Sequence, residues 1–159
     1  MTIDALATAL AAQLPPDGVA RDVPISELTT YRLGGPVAVV ARVATEADLR
    51  AVAAAVGPAA PDVAVLVVGR GSNLLVADRG FPGLAVVLGG NFEQIDVDAA
   101  AGVVRAGGAT PLPVVARRAA AGGLTGLEFY VGIPGSVGGA VRMNAGGHGR
   151  ETGEVLHRA

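Results

Sequence analysis

The sequence contains no cysteine and no tryptophan, and aromatic residues make up only 3% of it. Without cysteine there is no disulfide scaffold, no thiolate zinc site, no cysteinyl nucleophile and no cysteinyl cofactor linkage. The scarcity of aromatic rings leaves the core to alanine, valine and leucine, and it argues against a surface that stacks on nucleic-acid bases. We therefore expect no metal site.

Lysine is absent as well, so all 12 basic residues are arginines, against 14 acidic residues for a net charge of -2. The arginines are scattered, and no basic run forms the phosphate-binding stripe typical of nucleic-acid binders. No basic residue precedes Arg21, and no apolar run reaches the ~20 residues of a membrane span. We expect a cytoplasmic protein without a nucleic-acid or membrane partner.

Hydrophobic periodicity predicts a helix at the N-terminus of the 159-residue chain. The helix ends at a Pro-Pro-Asp-Gly break over residues 15–18, and its apolar face comprises Ile3, Leu6, Leu10 and Leu14. We interpret residues 1–20 as an N-terminal helical appendage and residues 21–159 as one domain, which is long enough to bury a core.

The rest of the chain alternates strands and helices. Apolar patterning predicts strands over 37–43, 63–68 and 84–88, a capped helix over 46–56, and a hairpin of 94–97 with 103–106. The unbroken apolar run 63–68 is typical of a strand that is covered on both faces. A further helix is predicted with Thr110 as its N-cap and Pro111 in its first turn, ended by Gly122 and Gly123.

Glycine is concentrated in three segments at the junctions of these elements. Residues 132–149 intersperse glycine with apolar residues, which favours an ordered ligand-facing loop over a flexible surface loop. Residues 69–74 suit an anion-holding nest, and a tight turn explains them equally well. Gly107 and Gly108 precede a predicted helix, where a sharp turn is the simpler explanation and an anion contact the alternative. One extended, phosphate-linked ligand would contact all three segments.

The segment 69–74 is not a common nucleotide-binding loop. Leu74 stands where a Rossmann fingerprint has its third glycine, and a strand-like run follows instead of a helix. A P-loop is excluded because no Gly-Lys-Ser/Thr occurs anywhere in the chain.

Ordered motifs over roughly residues 28–154 resemble the UDP-N-acetylenolpyruvoylglucosamine reductase (MurB) family. They are Thr-Tyr-Arg-Leu-Gly-Gly at 30–35, Gly-Arg-Gly-Ser-Asn-Leu-Leu-Val at 69–76, Gly-Leu-Thr-Gly-Leu-Glu at 123–128, Gly-Ile-Pro-Gly-Ser-Val-Gly-Gly-Ala at 132–140 and Met-Asn-Ala-Gly at 143–146. Each motif is short, and the resemblance is specific through their combination and order.

The resemblance implies an α+β FAD-binding domain of the vanillyl-alcohol-oxidase (PCMH) type, built of two small α+β lobes. We expect the first lobe over 21–88 and the second over 89–159. The family reduces the enolpyruvyl ether of UDP-N-acetylglucosamine enolpyruvate with NADPH, through FAD, to UDP-N-acetylmuramate for peptidoglycan synthesis. FAD and NADPH are therefore the implied cofactors, and a nucleotide sugar is the implied substrate.

By the same resemblance, residues 69–74 cradle the FAD pyrophosphate, residues 133–140 and 144–147 line the flavin, and Gly107 and Gly108 approach it from the second lobe. Most of these contacts are expected to come from the backbone. The implied FAD-binding residues are Gly69, Arg70, Gly71, Ser72, Asn73, Leu74, Gly107, Gly108, Ile133, Pro134, Gly135, Ser136, Gly138, Gly139, Ala140, Asn144, Gly146 and Gly147. His148 stands where the family often has an aromatic residue, and we expect it to be exposed or at the rim of the ligand. Binding is expected to be noncovalent.

The family's substrate-protonating serine, its tyrosine-arginine motif and its late glutamate have no counterpart in the matched motifs. We therefore expect no catalytic residue here, an incomplete second lobe, an absent substrate-binding domain and an inactive chain that self-associates through an uncovered sheet edge. Two alternatives stay open. One is another FAD-dependent oxidase or dehydrogenase of the same fold, and the other is a non-enzymatic domain with structural glycine turns.

Overall fold

The structure, a computed structural model, describes residues 1–57 and 62–159. Its contacts divide the chain into two units, Met1–Asn91 and Phe92–Ala159. Both units combine helices with strands, which confirms the predicted α+β class. Among the described residues, no helix has both the length and the apolar character that a bilayer crossing requires.

A four-stranded sheet forms the centre of the first unit, in the order β1-β2-β4-β3. Strand β1 (Val19–Pro24) pairs antiparallel with β2 (Pro36–Val43), whereas β4 (Phe81–Leu88) is parallel to both β2 and β3 (Val65–Val68). Consecutive residues of the two central strands are buried, 39–41 in β2 and 84–86 in β4, as expected for strands with both faces covered.

Two helices pack in the same unit, α1 (Ile3–Ala11) and α2 (Glu46–Val56). The predicted capping box is present, because Asp48 N donates to Thr45 Oγ1 at 3.1 Å and Thr45 N donates to Asp48 Oδ2 at 2.9 Å. Helix α1 contacts α2, β1 and β2, and Leu6 and Leu10 are fully buried. The N-terminal helix is thus built into this unit, which differs from the appendage that the proline break suggested.

Strand β3 corrects the interpretation of the run 63–68. The strand begins at Val65 and lies at the edge of the sheet, and it exposes 45% of Val65 and 65% of Val67. The prediction that both its faces are covered is therefore wrong. An unbroken apolar run identifies a strand but does not fix its position in the sheet.

The second unit contains the predicted hairpin of β5 (Ile95–Asp98) and β6 (Val103–Ala106), which pair antiparallel. Helix α3 (Leu112–Ala121) follows and ends at Gly122, as predicted. Its N-cap is Pro111, and Thr110 makes no capping hydrogen bond, so the predicted N-cap is wrong.

Short 3₁₀ helices occur at Ile25–Glu27, Gly90–Glu93 and Glu128–Gly132.

The segment 132–149 is more regular than the loop that its glycine content predicts. It contains helix α4 (Val137–Met143), which Asn144 ends in the left-handed conformation at φ 47°. Ala140 packs in a core cluster with Leu112, Ala116, Phe129 and Tyr130, and this burial outweighs the poor helix propensity of two glycines. Strands β7 (Gly146–Gly147) and β8 (Arg150–Glu151) follow as a small hairpin, before the one-turn helix α5 (Thr152–Val155).

Candidate functional site

In the first unit, the predicted pyrophosphate loop 69–74 leaves the end of β3 and is attached to residues 28–30. Gly71 has φ +62°, and its carbonyl accepts from Thr30 N at 3.1 Å and from Thr30 Oγ1 at 3.2 Å. A Cβ atom at Gly71 would lie 2.0 Å from the carbonyl oxygen of Leu28. The close approach that requires this glycine is therefore an approach to the protein's own backbone.

The structure adds residues 28–36 to the neighbourhood of this loop. They run beside residues 71–80, where Gly35 N donates to Ala77 O at 3.1 Å and a Cβ atom at Gly34 would lie 2.4 Å from Val76 O. Arg32 has φ 53°, a strained value for a residue other than glycine. Sequence reasoning used this motif only for the family resemblance, although its glycine pair signals a close contact of two backbone segments.

Several polar groups of the first unit remain for a ligand. Arg70 and Asn73 are exposed, and Arg70 takes part in none of the ion pairs among the described residues. The hydroxyl of Thr29 is buried and has no hydrogen-bond partner in residues 1–57 or 62–159. Ser72 and Leu74 are half-buried. The loop thus combines a fixed backbone with donors at its outer side.

In the second unit, two of the predicted segments are hydrogen-bonded to each other. Gly138 N donates to Gly108 O at 2.8 Å, and Val137 N donates to Thr110 O at 2.9 Å. Pro111 and Ser136 form an isolated antiparallel bridge. The structure therefore brings residues 107–111 and 135–138 together, although they are far apart in sequence.

Two hydroxyl groups lie on these joined segments without a partner. Thr110 is 1% and Ser136 is 2% exposed, and neither side-chain oxygen has a hydrogen-bond partner within the described part of the chain. A buried polar group left unpaired costs about 1–3 kcal/mol. Such groups are expected where a ligand completes the hydrogen bonding.

The glycines of the second unit differ in what surrounds them. A Cβ atom at Gly107 would lie 2.1 Å from Phe92 O, and one at Gly146 would lie 2.6 Å from Arg150 O. At Gly138 the nearest atom, Gly108 O, is 3.1 Å away, whereas at Gly139 and Gly147 every contact is 3.5 Å or longer. The fold thus requires glycine at the first two positions and tolerates a methyl group at the last two.

The remaining predicted residues support this arrangement mainly through packing. Ala140 is buried, Ile133 packs against the core cluster beside it, and Gly135 O accepts from Leu112 N at 3.1 Å. Asn144 accepts from Gly153 N at 2.7 Å through Oδ1, which joins it to the start of α5. Pro134 is exposed, between Ile133 and Gly135.

His148 is exposed at the tip of the β7–β8 hairpin. Both tip residues, His148 and Gly149, have positive φ, the backbone twist that two-residue hairpin loops favour. The His148 Nε2 atom would lie 3.5 Å from a Cβ atom at Gly132. The imidazole is thus next to the glycine that opens the segment 132–149.

The pKa of Glu128 is shifted by hydrogen bonds within a turn of this unit. Hydrogen bonds from the Thr125 hydroxyl at 2.6 Å and from Gly126 N at 2.8 Å hold the pKa of Glu128 below its ordinary value. Among the described residues, no three His, Cys, Asp or Glu side chains are grouped as metal ligands. A depression at the ends of β2 and β4 is lined by none of the predicted cofactor residues.

A comparison with protein families matches residues 37–158 to the family described as FAD binding domain. That range crosses both units and includes all of the implied FAD-binding residues. Because these residues present donors and close backbone approaches but no grouped acid-base residues, the match agrees with a cofactor-binding role.

Curated relatives carry the name UDP-N-acetylenolpyruvoylglucosamine reductase. The protein of Methylorubrum extorquens strain PA1 is 50% identical over 133 residues, covering 83% of this chain and 41% of the relative. That of Azorhizobium caulinodans is 47% identical over 156 residues, covering 97% of this chain and 49% of the relative. The chain therefore spans somewhat less than half the length of these relatives.

A solved structure is also similar. The crystal structure of UDP-N-acetylenolpyruvylglucosamine reductase (MurB) from Thermus caldophilus is 36% identical, with a TM-score of 0.64 over 84% of this chain and 44% of that one. The similarity extends the sequence match to the backbone fold.

Proposed function

The chain belongs to the FAD-binding domain family, and we propose that it holds FAD noncovalently through its glycine-bearing segments. In the first unit, the peptide N–H groups of 69–74 and the side chain of Asn73 suit the pyrophosphate. In the second, Gly108, Ser136 and Gly139 mark the backbone on which the flavin part would lie. Residues 69–74 contain no cysteine or histidine to which a flavin could be covalently attached.

The pair of unpartnered buried hydroxyls carries this proposal. Thr110 and Ser136 lie on segments that are joined by backbone hydrogen bonds, next to Gly139, where an added Cβ atom would lie 3.6 Å from the Ser136 hydroxyl oxygen. A flavin and its ribityl chain carry both hydrogen-bond donors and acceptors, so they suit hydroxyls that can act as either. No bound metal or charged acid-base pair is needed to explain these residues.

We propose further that the chain is the cofactor-binding part of an NADPH-dependent reductase acting on UDP-N-acetylglucosamine enolpyruvate in the cytoplasm. This extends the printed names of its relatives to this chain. When bound, FAD would carry hydride from NADPH to the enolpyruvyl group of the substrate. The residues described above hold and orient the cofactor, and substrate protonation is assigned to none of them.

The test is a calorimetric titration of FAD into the apoprotein and its Thr110→Val and Ser136→Ala variants. Each variant removes one hydroxyl, and we expect FAD affinity to fall about fivefold while the fold is kept, because one hydrogen bond contributes about 1 kcal/mol. Thr8→Val, which removes an exposed threonine hydroxyl in α1, serves as the control and leaves affinity unchanged.

The outcome also bears on the non-enzymatic alternative. A wild-type protein that unfolds cooperatively but takes up no FAD would support the non-enzymatic reading. Wild-type binding that is insensitive to both variants would keep the family role and remove the two hydroxyls from the site. Turnover of NADPH by this chain alone would contradict the expectation that it is inactive.

A further inference from the structure

Tyr31 exposes an aromatic ring in a chain that otherwise shelters its rings. The sequence has two tyrosines, three phenylalanines and no tryptophan. Phe129 and Tyr130 are buried, and Phe81 and Phe92 are half-buried, whereas Tyr31 is 58% exposed. Its apolar surface stays in water, which is unfavourable. A planar ligand that stacks on the ring removes this surface from water.

The residue before Tyr31 is attached to the loop 69–74. Thr30 N donates to Gly71 O at 3.1 Å, and the Thr30 hydroxyl donates to the same oxygen at 3.2 Å. These two bonds fix the start of the exposed segment against the middle of the loop. Tyr31 is therefore next to the peptide groups that are proposed to hold the FAD pyrophosphate, within the same unit.

Two neighbours of Tyr31 have features that point to a ligand. Thr29 is 7% exposed, and its hydroxyl has no hydrogen-bond partner in the part of the chain that the structure describes. Arg32 has φ 53°, and strained backbone of this kind clusters at ligand-binding sites. An unpaired hydroxyl, an exposed ring and a strained residue thus occur within four consecutive positions. One ligand that carries a planar ring and hydrogen-bond acceptors explains all three.

On the basis of the FAD binding proposed above, we propose that residues 29–32 hold the adenosine diphosphate half of FAD. The adenine ring stacks on Tyr31, and the Thr29 hydroxyl donates to a phosphate oxygen. The pyrophosphate of FAD joins a flavin half to an adenosine half, and the flavin is assigned to other segments, so adenine is the ring left for Tyr31. A single exposed ring suits the single base of this cofactor, whereas a nucleic-acid surface stacks successive bases.

Separate halves of the cofactor test the stacking. We expect Tyr31→Ala to lower the affinity for FAD, measured by calorimetric titration, and for ADP, measured by competition with FAD, about tenfold each. This is the loss typical of removing one base–aromatic stack. Affinity for FMN, which carries the flavin and no adenine, is expected to stay unchanged in the same competition. Tyr31→Phe keeps the ring and should keep all three affinities.

Val67→Ala is the matched control for Tyr31→Ala. It truncates an apolar side chain of the same unit that is 65% exposed, and it should change none of the three affinities. Circular dichroism of each variant checks that the fold is kept.

Thr29→Val replaces the unpaired hydroxyl by a methyl group of similar size. We expect FAD affinity to fall about fivefold, the loss of one hydrogen bond, while the urea midpoint of the apoprotein stays the same or rises. The midpoint does not fall because a buried hydroxyl without a partner does not stabilise the fold. A hydroxyl with a purely structural role would instead leave FAD affinity unchanged.

The outcomes separate this proposal from FAD binding itself. Tyr31→Ala that binds FAD as tightly as the wild type overturns the stacking, as does a loss of affinity that is equal for FAD and FMN. A wild-type protein that takes up no FAD contradicts the proposed function as well. Loss confined to the ligands that carry adenine supports both.

Discussion

Single glycines in this chain differ in what an added Cβ atom would meet. At Gly71 the methyl group would collide with Leu28 O, and at Gly107 with Phe92 O, so these glycines permit contact between backbone segments of the same protein. At Gly139 the nearest atom is the Ser136 hydroxyl oxygen, at 3.6 Å. A glycine that the fold does not require, beside an unpartnered hydroxyl, points to a ligand that approaches the backbone.

Gly139→Ala is therefore expected to move stability and binding in opposite directions. Replacing a helical glycine by alanine raises the free energy of unfolding by up to about 1 kcal/mol. The added methyl group occupies the surface on which FAD is proposed to lie, so FAD affinity falls tenfold or more (about 1.4 kcal/mol). Urea denaturation of the apoprotein and FAD titration measure the two effects.

Gly57→Ala is the matched control, since its Cβ position is open and its φ of -47° suits alanine. It should leave FAD affinity unchanged. Gly71→Ala should instead destabilise the first unit by about 3 kcal/mol or more, through its positive φ and the backbone collision. If Gly139→Ala binds FAD as tightly as the wild type, the flavin does not contact this glycine.

Glu128 is expected to make stability depend on pH. Its pKa is lowered mainly by the Thr125 hydrogen bond, so its contribution is present above the ordinary carboxyl pKa of about 4.3 and is lost as pH falls through the lowered value. Glu128→Gln should be less stable than the wild type near neutral pH, and the difference should shrink on acidification.

Thermal melts across the acidic range measure this difference. Glu93→Gln is the control, because it makes the same charge change at an exposed position of the second unit. A gap between wild type and Glu128→Gln that stays constant with pH would mean that the carboxylate charge does not hold the turn.

Individual elements show where sequence patterns were sufficient. Helix α2 was predicted with its bounds because Thr45 and Asp48 form a local capping box, and the β5–β6 hairpin was predicted because its turn is local too. Sequence patterns could not predict the edge position of β3 or the presence of helix α4. Both depend on partners that are distant in sequence, namely β4 for the strand and Leu112 and Phe129 for the helix.

The capping box gives a direct test of the local argument. Thr45→Ala removes the hydroxyl that accepts from Asp48 N, and we expect a loss of about 1 kcal/mol from the free energy of unfolding. Thr45→Ser retains the oxygen and should lose much less. Equal losses in urea denaturation of the two variants would show that Thr45 stabilises through its methyl group.

The candidate site was only partly predictable for a related reason. The glycine segments and the family resemblance named its residues, and the order of motifs led to the FAD-binding family. Other features of the site depend on tertiary contacts, which the sequence does not display. They are the pairing of 107–111 with 135–138, the position of 28–36 beside Gly71 and the unpartnered hydroxyl of Thr110. Thr110 was interpreted as a helix cap, since a threonine before a proline offers no local sign of a ligand contact.

Across the whole molecule, the family match covers residues 37–158, which is most of the chain, and we expect this chain to bind FAD. The most direct test is a calorimetric titration of FAD into the wild-type apoprotein, with flavin absorbance recorded on the same sample. The account predicts saturable binding of one FAD per chain, released as free FAD on denaturation. A cooperatively folded protein that gives no binding heat and keeps no flavin after gel filtration would contradict it.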